Sequence, residues 1–202
     1  VTAVSDGAMA AYHAGNFLPG IDFSAPPMYN EHVGAHGCAQ EETAYMMTSK
    51  EAARVVRRHG KDILDSERMQ LEKGFCQHGD VSVFDHSFSV AVMCVRMASE
   101  LPFRVNIRAL VRGALLHDYF LYDWHVPDEI HRLHGFHHAA TAYRNARRDF
   151  SLGRIEKNMI LAHMFPLNMV LPKHRESMIL WTADKICAVM ETMRAEHHCR
   201  RI

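Results

Sequence analysis

From Glu41 onward, apolar residues recur every three or four positions, and an alternation of branched side chains is confined to Val81-Ser82-Val83-Phe84. A stripe at that spacing lies along one side of a helix and has to be covered by another element. Strands have almost no sequence from which to form, so the fold is expected to be an all-α helical bundle. Glycine or proline at positions 60, 79, 102, 127, 135, 153, 166 and 172 punctuates the pattern. The divisions predict helices over 41–58, 62–74, 82–100, 105–117, 127–132, 136–149, 154–164 and 174–196. Residues 1–40 show neither period and carry Gly7, Gly15, Gly20, Gly34, Gly37, Pro19 and Pro26-Pro27. They read as an irregular N-terminal arm ahead of one domain over 41–202.

A chain of 202 residues that is 48% hydrophobic has the material for one core. Its 23 Lys plus Arg balance 23 Asp plus Glu, so no overall field draws a nucleic acid or an anionic membrane, and any phosphate recognition has to be local. No run reaches the roughly 20 apolar residues of a spanning helix, and the N-terminus lacks the basic-then-apolar order of a secretory signal. Cysteines 38, 76, 94, 187 and 199 are odd in number and show no CxxC spacing. They read as reduced thiols of a cytoplasmic protein, and none sits in a recognisable nucleophile turn. Histidine is the unusual residue, at sixteen copies, and neutral imidazole is the commonest metal ligand.

The strongest local signal is Arg108 to Asp118, RALVRGALLHD. Leu110, Val111, Ala114 and Leu115 make an apolar face, while Arg108 and Arg112, four apart, suit a solvated one. His117 and Asp118 therefore end a buried helix. A charged Asp there is costly without a cation or several donors, and a metal ion is one solution; a lone His-Asp pair is more often a helix cap. Two further segments place ligand types on core faces. His86 opens an apolar helix with Phe88, Val92 and Val95, and Asp184 sits among Leu180, Ala183, Cys187 and Ala188 at helical spacing.

The order His86, then His117-Asp118, then Asp184 resembles the defining pattern of the HD superfamily of metal-dependent phosphohydrolases, which are helical bundles. The likeness spans Gln77 to Glu191. Within it, RGALLHDYFLYDW (112–124), LHGFHHAATAYRNA (133–146), HMFPL (163–167) and ADKICAVME (183–191) are similar to one group of bacterial HD proteins. That likeness points to a family and not to a substrate.

What the resemblance implies is one or two divalent transition-metal ions. Many HD proteins hold the second through extra histidines between the HD pair and the final Asp, and His138 and His163 match that role. The implied set is His86, His117 and Asp184 for one ion, His138 and His163 for the other, and Asp118 bridging. Some members that cleave cyclic dinucleotides carry a second His after the position of His163, where this chain has Met164, and a thioether is a poor ligand for hard metals. Iron, manganese, zinc, cobalt and nickel all accept these ligand types, iron or manganese being the expectation for two ions. His78, His125, His131, His134 and His137 flank the motifs as candidate outer donors.

The implied activity is hydrolysis of a small, nucleotide-like phosphomonoester or phosphodiester by a water activated at the metal. Asp118 would orient that water, and Lys185 would meet a substrate phosphate, although a plain surface lysine fits its position equally. No aromatic-basic interleaving points to a dedicated nucleic-acid enzyme. Other HD-fold proteins are mixed-valent di-iron oxygenases that cleave C–C or C–P bonds, and the same six ligands suit them. A third reading keeps the metal only to brace a binding domain.

Overall fold

A helix that is apolar on most of its circumference belongs in the middle of a bundle, and α4 (Val83–Glu100) has that character. Its buried residues include Val83, Phe84, Phe88, Val90, Ala91, Val92, Cys94, Val95 and Ala98. Around it pack α1 (Ser49–His59), α5 (Ile107–Leu116) and α8 (Arg175–Cys199). Next to α5 and α8 lies α7 (Arg154–Ala162), which α6 (His134–Asp149) covers in turn. The computed structural model describes residues 47–78, 80–123 and 134–199. The chain divides into units at residues 1–34 and 35–202, and every described residue belongs to the second. The arm expected over 1–40, the start of the 41–58 helix and the helix expected over 127–132 lie outside the described residues. No described helix is long and apolar enough to cross a membrane.

The helices begin where side chains can satisfy free backbone N–H groups. At α1, Thr48 Oγ1 accepts from Glu51 N while Glu51 Oε2 accepts from Thr48 N, a reciprocal cap. Ser82 Oγ accepts from Asp85 N at α4, and Asn106 Oδ1 accepts from Ala109 N at α5. The single helix expected over 62–74 is instead α2 (Lys61–Leu64), α3 (Glu67–Leu71) and a 3-10 turn over Glu72–Gly74. Ser66 causes the first break: its hydroxyl donates to Ile63 O and accepts from Met69 N, ending one helix and capping the next.

The described residues hold one ribbon, β1 (Cys76–His78) antiparallel to β2 (Val81–Ser82). The alternation at 81–84 yields only two strand residues, because the Ser82 cap turns Val83 and Phe84 into helix. Arg112 departs from its expected solvated face. It is buried, and its Nη1 donates to both carboxylate oxygens of Asp62, at 2.7 and 2.6 Å. A guanidinium in that position has to be paired, and α2 supplies the partner.

Gly60, between α1 and α2, marks the closest approach among the described glycines. A Cβ there would lie 2.3 Å from Leu115 Cδ1 and 3.1 Å from the Val56 carbonyl oxygen. Leu115 is fully buried, so making room for a Cβ means repacking the core around it. Gly60→Ala is therefore expected to destabilise the protein by about 1–3 kcal/mol, measured as a lower urea midpoint; an unchanged midpoint would contradict this packing.

Candidate metal centre

Five helices deliver six polar side chains to one buried place. His86 comes from the first turn of α4, His138 from α6 and Asp184 from α8. His117 and His163 arrive by one device used twice. Each follows the last residue of its helix, α5 or α7, and its Nδ1–H donates to the carbonyl three residues back, Ala114 O at 2.7 Å or Ile160 O at 2.8 Å. A last-turn carbonyl that the helix leaves unpaired is thereby satisfied. The same bond places a proton on Nδ1 and leaves each Nε2 pointing inward.

The six fall into two groups, His86, His117 and Asp184, and Asp118, His138 and His163, with the ligand atoms of each group within 4.8 Å of one another. Asp118 faces both. Its Oδ1 lies 3.3 Å from Nε2 of His138 and of His163, and its Oδ2 lies 3.4 Å from His117 Nε2 and 4.0 Å from His86 Nε2. Asp184 Oδ1 stands 3.3 Å from His86 Nε2 and 3.7 Å from His117 Nε2. Asp184 Oδ2 accepts from Lys185 Nζ at 2.7 Å. Lys185 is partly exposed, and its Nζ is 3.7 Å from Met164 Sδ, so Met164 turns to the lysine.

Two observations test whether a cation fits. His117 Nε2 is buried with no hydrogen-bond partner. His138 and His163 approach Nε2 to Nε2 at 2.8 Å. Because His163 carries its proton on Nδ1, that contact brings a bare lone pair to the other ring and calls for a proton or a metal cation between them. Imidazole nitrogens and carboxylate oxygens in groups of three are the donor set of a divalent transition metal. The residues fit such an ion.

Electrostatics follow from burial. Burial would raise the Asp118 carboxyl, yet His117, foremost, and His138 hold it well below the usual carboxylate range. Asp184 is likewise held low against burial by His117 and His86. Burial lowers His163 below its ordinary value and keeps it neutral. His86 goes the other way: burial alone would lower it, but Asp184 and Glu191 push it up to about 10.

Three buried residues of the centre lie outside the sequence-based set. Gln77, on β1, donates from Nε2 to Asp118 Oδ2 at 2.6 Å. Glu191 contacts His86 Nδ1 through Oε2 at 2.8 Å. Glu72 accepts at Oε1 from Leu121 N. Leu121 has a φ of 63°, a costly conformation for a branched side chain, so Glu72 braces the turn that follows the His-Asp pair. Only Glu191 had a readable signal, since it stands seven residues after Asp184 and therefore on the same face of α8. Among the flanking histidines, His137 is exposed; His125, His131 and the side chains of His78 and His134 lie outside the described structure.

Burial, the largest cause, and the nearby Asp118 charge lift the Glu72 carboxyl from 4.5 to about 8 against the Leu121 hydrogen bond. A raised folded-state value means that the folded protein prefers the protonated acid. That contribution to stability is complete below about pH 4.5 and is lost as pH rises through about 8. Glu72→Gln keeps an oxygen for Leu121 and removes the charge. Wild type is expected to lose stability relative to this variant between those pH values, by a few kcal/mol; parallel urea midpoints for the two proteins across the window would contradict it.

A family model described as HD domain matches residues 83–189. No curated protein and no solved structure matches the chain.

Proposed function

The chain belongs to the HD domain family, and from that premise we propose that it is a metal-dependent phosphohydrolase of a small, nucleotide-like phosphate ester. The observation that carries the reading is the division of Asp118 between two histidine groups inside one buried cluster. His86, His117 and Asp184 would hold one divalent ion, His138 and His163 a second, and Asp118 would serve both. Divalent ions in such a site lower the pKa of water toward neutrality and neutralise charge on phosphoryl oxygens.

The chain's own residues do the rest. Asp118 stays ionised at neutral pH, so a carboxylate oxygen is available to orient water at the centre. Gln77 fixes the rotation of that carboxylate through Oδ2. Lys185 is tied to Asp184 by one N–H and, being partly exposed, has others to donate to a phosphate oxygen. It is the local cation that a chain of neutral total charge needs for an anionic substrate.

The test is to load the purified protein separately with manganese, iron and zinc, determine metal content, and assay simple phosphomonoesters and phosphodiesters. Metal-dependent ester cleavage that Lys185→Ala weakens mainly through KM is the expected result. The second reading, a di-iron oxygenase, draws on one specific observation: each extra position supplies a single histidine, and Met164 faces Lys185 instead of the ligand cluster. Dioxygen uptake confined to the iron-loaded protein, with no esterase activity under any metal, would replace the first reading with this one.

A further inference from the structure

Gln77 reaches the centre through an irregularity in a very short ribbon. Cys76 pairs with Ser82 and His78 with Val81, so two steps along β1 face one step along β2, and Gln77 is the extra residue. A bulge of this kind re-aims the side chain at its position. The side chain of Gln77 is buried, and its Nε2 donates to Asp118 Oδ2 at 2.6 Å. Chemistry sets the direction of that bond, since an ionised carboxylate only accepts and has to be met by the nitrogen end of the amide. Gln77 Oε1 is buried with no hydrogen-bond partner, so the bond to Asp118 is the one this side chain is placed to make.

Both partners of that bond stand on anchored backbone. Val83 N donates to Phe75 O at 2.9 Å, which ties the approach to β1 to the start of α4, the helix that carries His86. Five residues before Gln77, Glu72 Oε1 accepts at 3.0 Å from the N–H of Leu121, three residues after Asp118. The stretch 72–77 thus holds the stretch 118–121 at both of its ends. Asp118 keeps one soft motion, rotation of its carboxylate about Cβ–Cγ, a torsion with broad wells. That rotation decides what each oxygen faces. Oδ2 lies 3.4 Å from His117 Nε2, and Oδ1 lies 3.3 Å from Nε2 of His138 and of His163. A donor on Oδ2 holds this division, and without it both oxygens are free to turn to one histidine group.

We propose that Gln77 is a positioning residue that keeps the Asp118 carboxylate divided, one oxygen to each histidine group, and so makes the two ions share it. This rests on the metal-centre reading and deepens it. The six ligands give the centre its affinity, whereas Gln77 touches no ion and sets how the shared ligand is turned.

The experiment loads the metal-free full chain with saturating manganese(II), counts the bound ions and records their electron paramagnetic resonance spectrum. Two manganese ions that share a carboxylate are magnetically coupled and give a signal distinct from that of isolated ions. Wild type is expected to hold two coupled ions. Gln77→Met, close in shape and without a donor, is expected to lose most of the coupled signal and to bind manganese about 10- to 100-fold more weakly. Its metal-free thermal midpoint should stay close to that of wild type, because the hydrogen bond leaves together with a buried oxygen that no group donates to. A Gln77→Met protein that keeps the coupled signal overturns the proposal, whatever its stability, and marks Gln77 as structural. If the midpoint and the coupling both fall, Gly60→Ala is the control, since it loosens the fold without altering any side chain of the centre. Coupling kept in Gly60→Ala and lost in Gln77→Met upholds the proposal, and coupling lost in both overturns it. Wild type that binds one ion, or two without coupling, overturns the proposal and leaves a metal centre in place. Wild type that binds no manganese also overturns it, and failure to bind zinc or iron as well overturns the metal-centre reading with it.

Discussion

Asp118→Asn is expected to lower ester hydrolysis by about 10²–10³-fold or more and to remove the ion of the His138 and His163 group from the protein. The substitution preserves shape and hydrogen-bonding capacity on the Oδ2 side, where Gln77 donates and where the amide oxygen can sit. It leaves the amide nitrogen on the Oδ1 side, 3.3 Å from two histidine nitrogens. There a neutral donor replaces the one carboxylate that the described residues give that group, and an amide nitrogen is no ligand for a divalent metal. The group of His86, His117 and Asp184 keeps its own carboxylate and should still bind one ion. The informative measurement is therefore metal content together with activity: one ion per chain and almost no turnover. Two ions with near-normal turnover would show that Asp118 does not join the halves of the centre.

The parts of this protein that were legible in its sequence are those in which one residue's neighbours along the chain are also its physical environment. The apolar flanks of His117-Asp118 and of Asp184 announced burial, and burial of a charge demands a partner. The helix-breaking residues divided the bundle correctly between α4 and α5 and between α6 and α7. What escaped was set by contacts across the fold. Arg112 has helical spacing to Arg108, as a solvated pair would, but Asp62, fifty residues earlier, makes it a buried residue. Gln77 reaches Asp118 only because a three-residue strand precedes α4. No local pattern in Cys76-Gln77-His78 favours a strand over the end of a helix.

The two histidines that end α5 and α7 carry a signal with two parts, burial and orientation. A histidine after a run of apolar helix suggests a ligand because its ring is buried. The same position also explains its orientation, since the first carbonyls left unpaired at a helix end lie within reach of Nδ1. His117 and His163 use that geometry identically. His86 sits at the start of its helix, where no such carbonyl is free, and it takes a carboxylate from α8 instead. For these three histidines, the position in the helix thus determines what stands behind the ring.

Metal removal is expected to produce the other large effect, on stability. His117 Nε2 is buried without a hydrogen bond, and the Nε2 atoms of His138 and His163 stand 2.8 Å apart. Neither arrangement is favourable alone, and the unfolded chain, in which all these groups reach water, pays for neither. An ion that binds the folded state only adds RT ln(1 + [L]/Kd), about 2.7 kcal/mol at a free concentration of 100 Kd. Two such ions add about 5 kcal/mol, and at about 2–4 °C per kcal/mol for a domain of this size the midpoint should rise by about 10–20 °C. Chelator-treated protein titrated with manganese in a thermal-shift or calorimetric measurement tests this directly. His138→Ala should show about half of the rise, because one ion still binds at His86, His117 and Asp184. A midpoint that ignores both chelator and metal would mean that the two histidine-carboxylate groups are held together by protons alone.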